Sequence, residues 1–303
     1  MTKYGRQTHE TLKNNRLAPK KRFGQNFLVH KPTAEAIVRA GKVSSTDIIL
    51  EVGVGLGALT HPLASMAQHV FGYEIDSGII RFHEEERDLA DNVTLIHQDI
   101  LTADFHEIAQ QCGGSLKILA NLPYSISNPF IFKLIENASL ISTATIMLQK
   151  EVADRLMAHP NTKDYGVPTV LLASCASVHK LMTLKPAEFH PRPKVDSVVI
   201  NIDFSKFSNQ SADDCKYDFG LFRQLVRTTF NQRRKTILNT LSGAGLFSNS
   251  AKIDKVANKK ITLLAIEQAN LQPTARPETL TFTDFINLAI QVAHNKEIAS
   301  HSN

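Results

Sequence analysis

Residues 49–60 read ILEVGVGLGALT. The segment beginning at Ile48 offers four apolar residues and one acid, the composition of a buried strand. It runs into Gly53, Gly55 and Gly57, and a helical pattern, GALTHPLASMA, follows. Glycines at alternate positions let a chain turn sharply and lie against a ligand without Cβ clashes. The helix that opens behind them points unpaired N–H groups at something polar or anionic. Gly53, Gly55 and Ala58 also satisfy G-x-G-x-x-A, a form found at dinucleotide sites. A tight strand-to-helix turn with no ligand is the bland alternative.

Outward from this turn, strand and helix patterns alternate. TAEAIVRAG (33–41) precedes it as a helix. HVFGYEI (69–75) reads as a strand, SGIIRFHEEERD (77–88) as a helix and VTLIHQDI (93–100) as a strand. LKILANL (116–122) is a fourth strand, PFIFKLIENA (129–138) a helix, and TATIMLQ (143–149) a fifth strand leading into EVADRLMAH. SVVINIDF (197–204) is β-rich. Such alternation predicts parallel βαβ units in a doubly wound, Rossmann-like α/β sheet, with ligands held beyond the carboxyl ends of the strands. After the polar stretch that begins at Ser205, only helical periodicity remains. The expected organisation is residues 1–205 as a cofactor-binding catalytic domain with a basic N-terminal arm, and 206–303 as a small all-α domain.

Charge is unevenly spread over the 303 residues, whose net charge is +5. Residues 1–31 carry eight Lys/Arg against one acid, residues 32–185 eleven against seventeen, and residues 186–303 fifteen against eleven. Basic ends around an acidic middle suit a phosphate backbone; solubilising surface charge is the plain alternative. Three isolated cysteines without a CxxC pair argue against a zinc site or a disulfide framework. A polar N-terminus without an apolar core, and no apolar run of about 18 residues, lead to the expectation of a soluble cytoplasmic protein.

Three acceptors fall at the same sheet edge as the glycine turn. Glu74 closes the second strand, where a carboxylate can accept both hydroxyls of a ribose. Asp99 closes the third, placed for an adenine amino group, or simply for a helix N-cap. Asn121 closes the fourth, and Leu122-Pro123-Tyr124 follow. Pro123 fixes its own φ and restrains Leu122 to an extended backbone. The Asn121 side chain and the Leu122 carbonyl could both accept from an amino group while Tyr124 stacks on a flipped-out purine; a turn with a buried tyrosine is the alternative. Farther on, Arg223, Arg227 and Arg234 lie within about 40° of one another on an extended helix, beside an apolar face of Phe222, Leu225 and Val226. That stripe suits phosphate contact.

Asn-Leu-Pro-Tyr resembles the [DNS]-[IP]-P-[YFW] motif of S-adenosylmethionine (AdoMet)-dependent methyltransferases that modify base amines. Over nearly its whole length the chain resembles the ribosomal-RNA adenine dimethyltransferase family, and within it the bacterial branch acting on 16S rRNA. KKRFGQNFL, ILEVGVGLGALT, ANLPYSISNPFIFKL, MLQKEVADRL, FHPRPKVDSVV and TTFNQRRKTILNTL carry the likeness in family order. Val54, where the family usually has Pro, and Pro168, where it commonly has Leu, depart from it. The segment 208–214 matches no family feature.

The resemblance implies that Asn26 and Leu28 close over AdoMet, that Gly53 and Gly55 line its methionine portion, and that Glu74, Asp99 and Asn121 take the roles proposed above. It implies Phe189 as a second stacking aromatic; a buried ring before a proline turn is the alternative. It further implies N6-dimethylation of two adjacent adenosines in a hairpin loop near the 3' end of 16S rRNA, within an immature 30S particle. A monomer needing no metal, DNA or membrane is expected. Three competitors stand beside it: a macrolide-resistance 23S rRNA methyltransferase, an NAD-dependent dehydrogenase and a non-catalytic RNA-binding assembly factor. The dehydrogenase leaves NLPY unexplained, and the long basic C-terminal region argues against the 23S enzyme.

Overall fold

The computed structural model describes residues 24–205, 217–247 and 255–301, so most of the basic arm and segment 208–214 lie outside the described residues. The described chain packs as two units: 24–154 with 175–205, and 155–174 with the described residues beyond 216.

The first unit is built on strands β2 (Ile48–Val52), β3 (His69–Glu74), β4 (Val93–His97), β5 (Leu116–Asn121), β6 (Ile141–Gln149), β7 (Ser177–Leu184) and β9 (Ser197–Asp203). Their order across the sheet is β4-β3-β2-β5-β6-β9-β7. β2 pairs in parallel with both β3 and β5, and β9 is antiparallel to β6 and β7. A strand buried on both faces should be an unbroken apolar run, as β2 nearly is. The chain leaves β2 in one direction through β3 and β4 and returns on its other side at β5. The gap between β2 and β5 is therefore a topological switch point, where such sheets place ligands.

Helices cover the sheet. α1 (Lys31–Ala40) and α2 (Thr60–Met66) supply Ala34, Ile37, Val38 and Leu63 to one core cluster with Ile49, Leu119, Met147 and Val199. α3 (Ser77–Glu86) starts where the Asp76 carboxylate accepts from Gly78 N–H, and α4 (Phe105–Gln111) starts where Asp104 accepts from His106 N–H. α5 (Ser127–Glu136) meets α4 through Phe130 and Phe105, whose ring centroids are 6.4 Å apart. α6 (Lys150–Leu156) follows β6. A separate two-stranded ribbon joins β1 (Phe27–Leu28) to β8 (Phe189–His190), with Leu28 opposite Phe189.

The second unit is helical among its described residues: α7 (Val167–Ala173), α8 (Phe219–Asn231), α9 (Ile237–Ser242), α10 (Lys255–Gln268) and α11 (Phe282–His301). Phe222 packs edge-on to Phe282, and Phe230 stacks on Phe285. Residues 155–174 belong here rather than with the sheet. Tyr165 Oη donates to the Leu280 carbonyl at 2.8 Å, Asn161 N–H to the Glu278 carbonyl, and Arg233 to the carbonyls of Thr162 and Lys163. Pro168 lies in the first turn of α7, where no intrahelical N–H is required.

One expectation about this unit is corrected. The helix carrying Arg223 and Arg227 ends at Asn231, because Gln232 (φ −127°, ψ 55°) leaves helical geometry and Thr236 caps the next helix. Arg234 therefore sits in a turn, off the stripe. Arg223 and Arg227, four residues apart, still share a face of α8, half-buried and exposed respectively.

Candidate active site

A cleft of about 240 Å³ opens at the carboxyl ends of β2 to β5. Gly53 and Gly55 line it from the turn after β2, Glu74 from the end of β3, Asp99 from just past β4, and Asn121, Leu122 and Pro123 from the end of β5. Asn26 closes it from the segment before β1. The glycines and acceptors read from the sequence thus meet in one cavity.

The turn needs its glycines. Gly53, Gly55 and Gly57 have φ of 78°, 55° and 76°, a region costly for other residues. A Cβ on Gly55 would also press to 3.2 Å from the Phe27 ring. Val54 is buried, and its Cγ2 would lie 2.7 Å from a Cβ on residue 72, where β3 carries Gly72. The valine that departs from the family pattern is accommodated by that glycine.

Glu74 is 5 % exposed and holds the turn's shape as well as facing the cleft. Its Oε2 accepts from Gly55 N–H at 3.0 Å and its Oε1 from Asp76 N–H at 2.8 Å. Burial pushes its pKa up, and these two backbone donors oppose the rise. Asp99 lines the cleft and uses Oδ1 to accept from Leu101 N–H at 2.9 Å within a turn, while the next helix is capped by Asp104 instead.

At β5 the Asn121 amide is oriented from the N-terminal side. Its Nδ2 donates to the Asn26 carbonyl at 3.3 Å, which commits the NH₂ edge and leaves Oδ1 as the acceptor. Asn26 thus contributes its backbone carbonyl, while its own amide turns back to the Gly24 carbonyl. Pro123 is extended (φ −54°, ψ 133°) and delivers Tyr124 into a short 3₁₀ turn. The Tyr124 hydroxyl is 2.9 Å from Ser197 Oγ, which pins a half-buried ring. Burial raises the phenol pKa against the Ser197 hydrogen bond, so Tyr124 stays neutral.

Three residues fall elsewhere, the first being Tyr124, which follows Pro123 but does not line the cleft. Successive strand residues face opposite sides, and on β1 it is Phe27 that lines the cleft while Leu28 is buried in the core cluster. Leu28 borders only a smaller adjoining cavity. Phe189, its cross-strand partner, is 3 % exposed and packs in the same core. The structure does not bring its ring to the cleft wall.

Glu51 went unrecognised. It points from the middle of β2 into the core face, is fully buried, and neither carboxyl oxygen has a hydrogen-bond partner. Desolvation drives its pKa up to about 8; the nearby Thr60 hydroxyl, itself without a hydrogen bond of good geometry, opposes the rise, and the Glu74 charge adds to it. Together with Gly53, Gly55 and Asn121 it lines the smaller cavity beside the cleft. A lone acid in an apolar strand was the available signal. An unpartnered acid there fits a cationic ligand such as the sulfonium cofactor.

The ribosomal RNA adenine dimethylase family model matches residues 16–272. This chain belongs to that family. The dimethylase assignment makes it an rRNA adenine dimethyltransferase that takes methyl groups from AdoMet. The ribosomal RNA small subunit methyltransferase A of Desulfotalea psychrophila is 61 % identical over 95 % of this chain and 96 % of its own length. That of Clostridium botulinum (strain Langeland) is 38 % identical over 89 % and 92 %. Among solved structures, a dimethyladenosine transferase from Plasmodium falciparum superposes with a TM-score of 0.71 at 26 % identity, covering 88 % of this chain and 97 % of that one. The 23S rRNA methyltransferase ErmE shares the fold, with a TM-score of 0.61 at 22 % identity over 88 % of this chain and all of that one.

Proposed function

We propose that this dimethylase modifies the exocyclic N6 amines of two adjacent adenosines in a hairpin loop near the 3' end of 16S rRNA, acting on an immature 30S particle as a cytoplasmic monomer. The 61 % identical small-subunit relative favours this over a 23S substrate. The observation that carries the chemistry is Asn121-Leu122-Pro123 at the cleft, with the Asn121 amide oriented by the Asn26 carbonyl and Tyr124 next in the chain.

In this reading Glu74 takes the ribose hydroxyls, Asp99 the adenine amino group, and Gly53, Gly55 and Phe27 the methionine side. Bound AdoMet supplies an already electrophilic methyl group on sulfur. The difficult partner is the adenine amine, whose lone pair is delocalised into the ring. Accepting the amine hydrogens at Asn121 Oδ1 and the Leu122 carbonyl, two in the first transfer and the one that remains in the second, localises that lone pair and aims it; each transfer leaves a neutral thioether and sheds one amine proton to solvent. Rate enhancement then comes from orientation and preorganised dipoles, with no side-chain base required. Tyr124, tethered by Ser197, offers a fixed face on which the extruded base stacks.

In the helical unit, Arg223 and Arg227 would meet phosphates. Among the described residues no helix is long and apolar enough to cross a membrane. The test is Asn121→Ala. Methyl transfer should fall by at least about two orders of magnitude, while AdoMet binding changes only a few-fold. Transfer at the wild-type rate would end the assignment of Asn121.

A further inference from the structure

His83, on α3, is 3 % exposed and takes no part in the reading above. Its Nε2 lies 2.8 Å from the Gly55 carbonyl oxygen, and its Nδ1 lies 2.7 Å from Asp88 Oδ1. A carbonyl oxygen and an ionised carboxylate can only accept. A ring facing acceptors at both nitrogens satisfies both only when each nitrogen carries a proton. Gly55 is therefore held through both of its flanking peptides, its N–H by Glu74 at 3.0 Å and its C=O by His83. We propose that His83, held as an imidazolium between Asp88 and the Gly55 carbonyl, is a positioning residue that makes the cofactor affinity of the glycine turn depend on its proton.

The consequence has a definite sign. Loss of one ring proton leaves either the Gly55 carbonyl or the Asp88 carboxylate facing a bare nitrogen lone pair. Gly55 holds φ 55° against the Phe27 ring, so releasing its carbonyl loosens the wall of the cleft. AdoMet should bind more weakly at high pH, where the ring no longer donates from both nitrogens. The groups facing His83 are Asp88 and, on α2, His61, whose Nε2 is 3.5 Å from the other Asp88 oxygen. His61 in turn feels Lys31. Asp88 is thus shared between two histidines.

The inference rests on the cleft being the AdoMet site, and the experiment separates the two. AdoMet dissociation constants are measured by calorimetry for the wild type and His83→Gln over a pH series running from acid to alkaline. Glutamine can donate to Gly55 without carrying charge. Glu51 and Glu74 titrate in both proteins and cancel in the ratio of affinities. That ratio should show the variant about tenfold weaker at the acid end, the worth of a charge-assisted hydrogen bond. It should fall to near one at the alkaline end. The KM for AdoMet should follow while kcat stays within about twofold.

Should circular dichroism show His83→Gln unfolded, Asp88→Asn keeps the ring and its bond to Gly55. Removing the carboxylate charge should move the wild-type break to lower pH. A ratio constant with pH, or an Asp88→Asn break that does not move, overturns the proposal while leaving the cleft assignment intact. A wild type that binds no AdoMet at any pH would overturn the cleft assignment, and the proposal with it.

Discussion

Glu51→Gln should stabilise the protein, and by an amount that grows with pH. The carboxyl is fully buried without a partner, and its pKa rises from 4.5 to about 8. The folded state therefore binds a proton that the unfolded state releases between those values. A raised acid pKa means no penalty below the unfolded value and a penalty that accumulates until the folded value is passed. At about 1.36 kcal/mol per pH unit the full penalty is roughly 5 kcal/mol. Between about pH 5 and pH 8 the wild type should lose roughly 4 kcal/mol that the glutamine variant keeps. Urea unfolding followed by far-ultraviolet circular dichroism, with both proteins free of cofactor, measures the difference. Parallel stability curves over that range would show that Glu51 is not the unpartnered buried acid described, and the cationic-ligand argument built on it would fall.

Two further outcomes follow from local geometry. Gly72→Ala would place a methyl group 2.7 Å from Val54 Cγ2, so it should cost about 1–3 kcal/mol. The double variant Gly72→Ala/Val54→Ala should recover most of that loss in a thermal melt. Arg223→Ala/Arg227→Ala should weaken RNA binding, make its salt dependence shallower by about one to two in log–log slope, and leave AdoMet affinity unchanged. Filter binding across a salt series measures both.

The parts of the fold that were legible are those where one physical requirement dominates. Buried parallel strands demand apolar runs, and β2, β3, β5 and β6 supply them. Glycines at positive φ and acceptors at strand ends leave local marks, so the cleft could be assembled from Gly53, Gly55, Glu74, Asp99 and Asn121 before any coordinates. The missed elements depend on distant partners. β1 and β8 are two residues each and exist only because Leu28 and Phe189 pair across the chain. β7 is an edge strand with His179 and Lys180 exposed at its centre, so it lacks a clean apolar signal. Helical spacing continued past Asn231 in the sequence, whereas the backbone of Gln232 does not. Phe27 and Leu28 differ only in which side of a short strand each takes, and His83 reads as one more polar residue on an amphipathic helix.

The central claim is methyl transfer to base amines of small-subunit rRNA at the Asn121 cleft. Its most direct test is mass spectrometry of nucleosides from immature 30S particles, and separately from protein-free 23S rRNA, after incubation with enzyme and isotopically labelled AdoMet. Labelled N6,N6-dimethyladenosine is expected at two adjacent positions in the 16S rRNA and none in the 23S rRNA. Label in the 23S rRNA alone would contradict it.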